Sequence, residues 1–198
     1  MRGLVLLVAA LSLVACTATP AASPSAPSPT VRVDAGGNVL PPLVDEKTWS
    51  DLSSRPLQLP TVASGSDCPI TPTRELASGT GALAGSGPVY AVGNVIAYGA
   101  RMSDGIFGAK VLWVAAPDYP GPALMRGRQL DGSGGVFFSN SRKVTELRFE
   151  LDTRVRAGKS NEGWRYLPST VNVEGSGCYG LQIDGPGWTT TIVMRALA

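Results

Sequence analysis

The sequence predicts an all-β chain, folded as a single antiparallel β-sandwich behind an N-terminal leader. Three observations predict this. Short runs rich in β-branched and aromatic residues recur between Val89 and Arg195, turn residues (Gly, Pro, Asp, Asn) separate them, and no window shows helical periodicity with caps. The length of 198 residues leaves room for one domain with appendages.

Taken in order, the first sixteen residues form a leader. Met1-Arg2-Gly3 is a short basic start, and the apolar run from Leu4 to Val14 is about half the roughly 20 residues that cross a bilayer. It reads as a signal-peptide core. Leu13-Val14-Ala15-Cys16 then matches the lipobox of bacterial lipoproteins, in which the Cys thiol takes a diacylglycerol before cleavage. On this reading residues 1–15 are removed, and Cys16 carries two or three acyl chains that tether the chain to the outer side of a cell membrane. The alternative is an ordinary secretory signal whose cleavage site happens to precede a Cys.

Residues 16–30 follow as a linker of Ala, Ser, Pro and Thr after Cys16, too poor in apolar bulk to form a core. Residues 31–67 read as an extended N-terminal segment. Within it Val31-Arg32-Val33 is a candidate short strand, Trp49 with Leu52 a candidate cap on the core, and 55–60 a stretch kept extended by Pro56 and Pro60. The sandwich itself is expected over 68–198.

Inside it, residues 73–77 read as one helical turn. Strands are expected at 89–92, 94–100, 110–115, 124–130, 135–138, 145–152, 169–173, 179–184 and 188–195. The clearest is 145–152, where Thr145, Leu147, Phe149 and Leu151 alternate with charged residues. Asp131-Gly132-Ser133-Gly134 and Asp184-Gly185-Pro186-Gly187 read as hairpin loops, and Trp113 as an inward core residue.

With Cys16 acylated, Cys68 and Cys178 are an even pair in an oxidising compartment, so one disulfide is the simplest assignment. It closes a long loop, for which chain entropy predicts about 4 to 5 kcal/mol. Two buried free thiols or a redox pair are the other readings. On the strand at 179–184, Tyr179, Leu181 and Ile183 share one face, which sends Cys178 to the other with Gly180 and Gln182.

Composition excludes much chemistry. No His is present, so Ser-His-Asp triads, Cys-His pairs and His-ligated zinc are absent. Seventeen Lys and Arg against fifteen Asp and Glu leave +2, too balanced for a nucleic-acid footprint. Gly158-Lys159-Ser160 ends like a P-loop, but Thr153 stands where its leading Gly belongs. No Ser lies three before any Lys, and no Ser sits in a nucleophile elbow. Neither a cofactor nor a metal site is expected.

Lys110-Val111-Leu112-Trp113, Gly121-Pro122, Arg126-Gly127, Leu130-Asp131-Gly132, 167–171 and Gly177-Cys178-Tyr179-Gly180-Leu181 together resemble a group of secreted or lipid-anchored bacterial proteins. The similarity spans about residues 66 to 195, and the group is of uncharacterised function. The resemblance implies an immunoglobulin-like C-terminal domain and brings no catalytic residues. The outward direction of Cys178 argues against the inter-sheet bridge of antibody domains.

Two functional readings follow. The first is a non-catalytic binding or structural module of the cell envelope, with an envelope protein or extracellular ligand as partner. Arg126 and Arg128 on one strand face, with Tyr119 in a nearby Pro-rich loop, are its candidate contacts for an anionic or sugar ligand. The competing account of these Arg residues is cross-strand pairing with acids such as Glu146 or Glu150. The second reading is a hydrolase of envelope polymers, drawing two carboxylates from Asp118, Asp131, Glu146, Glu150, Asp152 and Asp184.

Overall fold

Period-two alternation along the long strands builds two sheets that bury their facing sides against each other. The computed structural model describes residues 31–33, 35–37, 39–63, 65–99, 105–139, 142–151 and 163–197. The leader, Cys16, the linker, Thr153, Lys159 and Asp152 lie outside the described residues.

In chain order the elements are β1 (Arg32–Val33), β2 (Val39–Leu40), α1 (Glu46–Ser53), β3 (Thr73–Glu75), β4 (Ala82–Ala84), β5 (Val89–Val92) and β6 (Val95–Ala97), then β7 (Phe107–Ala115), β8 (Ala123–Gln129), β9 (Val136–Phe138) and β10 (Leu147–Phe149), and last β11 (Arg165–Val173), β12 (Gly177–Gly185) and β13 (Trp188–Leu197). One sheet runs β10-β8-β12-β13-β6 and the other β3-β4-β5-β7-β11-β9. β1 and β2 pair separately as a small hairpin.

The all-β sandwich is therefore the fold. Between the sheets lie Trp113, Val111 and Val171 from one side and Tyr179, Leu181, Ile183, Ile192 and Met125 from the other. Trp113 points inward as expected and donates its indole N–H to Ser169 Oγ at 2.9 Å, which satisfies its only polar atom. Two glycines matter to the pairing of the central strands, one for a close approach and one for its turn conformation. A Cβ on Gly127 would stand 2.5 Å from the Gly180 carbonyl, so β8 and β12 tolerate only glycine there. Gly187, at φ +82°, closes the β12–β13 turn.

Several expectations need correction. Residues 31–67 are not extended throughout, because they hold the β1–β2 hairpin and α1. The helix forms where the sequence shows only two core-facing positions, Trp49 and Leu52, one turn apart. Its start is chemically marked: Asp45 is the N-cap, and its carboxylate accepts the Thr48 N–H at 2.8 Å. Residues 73–75 form a strand rather than a helical turn, paired with an unanticipated β4. Not every pair is antiparallel, since β6 runs parallel to β13. The strand expected at 145–152 contracts to β10.

Candidate functional site

The outer face of the five-stranded sheet is where the sequence places most of its candidate chemistry. Alternation on β8 and β12 turns Leu124, Arg126 and Arg128 outward, together with Cys178, Gly180, Gln182 and Asp184. A strap of chain from α1 to Cys68 lies across this face. Trp49 and Leu52 pack on Leu124, while Leu59 and Val62 pack on Leu130, Cys178 and Val193.

Beneath the strap the polar side chains form a hydrogen-bonded network centred on Asp184, in which Arg126 Nε is left without a partner among the described residues. Asp184 is fully buried and receives Arg126 Nη2 at 2.8 Å, Thr189 Oγ1 at 2.6 Å and Gln182 Nε2 at 2.9 Å. Arg55 reaches within 3.8 Å of the same carboxylate and donates to the Gly185 and Trp188 carbonyls. Arg126 also donates to Ser53 O at 2.7 Å and Leu52 O at 3.2 Å. A guanidinium thus caps the C-terminal carbonyls of α1, where the helix dipole favours positive charge. Gln182 takes the Gln58 N–H and donates to Pro56 O.

This arrangement decides the fate of the three proposed ligand contacts. Arg126 is engaged by Asp184 and the helix end, not by Glu146 or Glu150. Tyr119 donates to Pro122 O and stacks edge-on against Trp188, with Arg165 6.0 Å from its ring. Burial raises the Tyr119 phenol above its ordinary pKa. Arg128 is exposed and donates to Gln129 O at 3.2 Å. Among the described residues no bond joins the three, so the structure does not assemble them into one pocket.

Three of the candidate carboxylates are held by partners of their own. Asp131 accepts the Cys178 N–H on both oxygens at 3.0 Å. Glu146 accepts from Ser53, Asp184 lies in the network above, and Asp118 is exposed in a loop. A cleft of about 360 Å³ between α1 and β10 holds Glu46 and Glu146, but Arg148 binds Glu46 bidentately at 2.8 and 3.1 Å. That hydrogen bond raises the Arg148 pKa and leaves the pair closed on itself.

Cys68 and Cys178 lie at disulfide distance, with sulfurs 2.03 Å apart and Cα atoms 5.4 Å apart. The bond joins the base of the strap to the outer face of β12 and does not cross between the sheets. The expected direction of Cys178 is what allows this.

A second concavity, of about 720 Å³, lies beside β7, β11 and β10. Leu147, Leu167 and Pro168 give it apolar walls, while Ser169 and Thr170 add hydroxyls and Lys110 a cation. Its size and lining suit a small apolar ligand with a polar edge. No carboxylate lines it among the described residues. Among those residues no group of three His, Cys, Asp or Glu is placed to hold a metal, and no helix is long and apolar enough to cross a membrane. Sequence reasoning missed this groove because its walls come from β7, β10 and β11, which are brought together only by sheet pairing. No known protein family matches the chain, and no curated protein or solved structure matches it significantly.

Proposed function

We propose that this chain is a lipid-anchored, extracytoplasmic β-sandwich of the bacterial envelope that binds rather than catalyses. The observation that carries the reading is the disulfide-distance pair Cys68 and Cys178, since such bonds persist in oxidising compartments. The lipobox Leu13-Val14-Ala15-Cys16 supplies the anchor, and the acyl chains on Cys16 hold the sandwich at the outer face of the membrane. Its immunoglobulin-like kinship rests on the motif similarity given above. The groove beside β7, β11 and β10 supports the binding role, and its partner is an extracellular ligand or another envelope protein. Engagement of Asp184 by Arg126, of Glu146 by Ser53 and of Asp131 by the Cys178 N–H disfavours a hydrolase built on those carboxylates.

Labelling with radioactive palmitate tests the anchor. The wild-type chain should take up label in the membrane fraction, and Cys16→Ala should abolish it. Recovery of unlabelled wild-type chain in the soluble fraction would overturn the reading.

A further inference from the structure

The β1–β2 hairpin carries an apolar face that nothing in the sandwich explains. Register pairs Val33 with Val39, and alternation puts Val31 on the same side. These valines are 58%, 72% and 67% exposed, and Leu43, just beyond the hairpin, is 62% exposed. The remaining exposed large hydrophobics, Leu57, Leu76, Val95 and Leu197, are scattered over other elements. Scattered single residues are ordinary, whereas a cluster marks a contact surface. The opposite side of the hairpin is braced instead, with Arg32 Nη1 donating to Pro41 O at 3.0 Å.

What covers this face follows from its distance to Cys16. Fourteen residues lie between Cys16 and Val31, and fully extended the segment spans at most about 50 Å. The hairpin is therefore the first described element above any bilayer holding the acyl chains, and it stays within reach of that surface. We infer that the Val31, Val33 and Val39 face rests on the lipid headgroup and acyl boundary as a second, weak membrane contact beside the Cys16 anchor. This rests on the proposed acylation. The charges of residues 31–53, Arg32 and Lys47 against Asp34, Asp45, Glu46 and Asp51, are on balance acidic, so the contact is apolar and independent of anionic lipid.

The test uses the chain from Cys16 to Ala198 with one saturated acyl chain coupled chemically to the Cys16 thiol. A single chain binds only marginally, with a constant of about 10⁴ M⁻¹, so a modest second contact becomes measurable. On neutral phosphatidylcholine vesicles, Val31→Ser, Val33→Ser and Val39→Ser together should lower partitioning roughly tenfold at unchanged urea midpoint, at low and high salt alike. Val95→Ser, exposed on β6, should leave partitioning unaltered. Equal partitioning of the triple variant and wild type overturns the inference, as does an equal loss in Val95→Ser. Loss of a solution dimer in the triple variant without any change on vesicles would also overturn it and assign the face to a second copy. Because the acyl chain is installed chemically, failure here leaves the palmitate experiment unaffected, and the converse holds.

Discussion

Arg126 and Arg128 stand two residues apart on the same face of β8, yet they occupy different physical worlds. Arg126 lies under the strap, bound to a fully buried Asp184 and to the end of α1. Arg128 is exposed, and among the described residues its side chain donates only to the Gln129 carbonyl. The contrast extends to the two outer faces of the sandwich. The six-stranded sheet covers its own outer face with Leu83, Tyr90, Val114, Trp164 and Tyr166. The five-stranded sheet carries charge on its outer face, and chain from before the sandwich must seal it. A buried charge is tolerable only when it is paired and hydrogen-bonded, and the strap supplies the Ser53 and Leu52 carbonyls to the two terminal nitrogens of Arg126, while its Nε has no partner among the described residues.

Breaking the sealed side should have the largest effect. Asp184→Ala leaves the largely covered Arg126 without its carboxylate and Thr189 and Gln182 without their acceptor, and should cost about 3 kcal/mol in urea unfolding. Arg126→Met with Asp184→Leu should cost much less than the sum of the single losses, because the uncompensated charge is gone. Leu52→Ala, which empties the contact of α1 with Leu124, should cost about 3 kcal/mol. Asp45→Ala removes the cap at Thr48 and should lower the urea midpoint by less than Leu52→Ala does. Arg128→Ala should shift stability by less than about 0.5 kcal/mol, and a larger loss would erase the distinction drawn between the two arginines.

Acid sharpens the comparison further. Glu174, outside the Asp184 network, is held below its ordinary value of 4.5 by the Arg142 hydrogen bond and then by the Gly135 N–H. A depressed folded pKa stabilises above the unfolded value, and that contribution is lost as pH falls through the folded one. Glu174→Gln should therefore lose stability at neutral pH and flatten the decline below about pH 4.5, as followed by thermal melts across pH.

The long strands were legible because alternation and turn residues are local signals. β5 appears at its expected bounds, and the outward direction of Cys178 followed from Tyr179, Leu181 and Ile183 alone. The helix was missed because eight residues with two apolar positions fall below any periodicity signal, although Asp45 followed by Glu46 was a readable start. The role of Arg126 was illegible for a different reason. Its partners are Asp184, 58 positions on, and Ser53, 73 positions back, so an outward arginine in the sequence becomes a largely covered one only through pairing across the fold.

Peptide mass analysis of the protein recovered from its native membrane, without reduction, tests the central claim most directly. The account predicts an N-terminal peptide that begins at an acylated Cys16, and a cross-linked peptide joining Cys68 to Cys178. An unacylated N-terminus, or alkylatable thiols at Cys68 and Cys178, would contradict it.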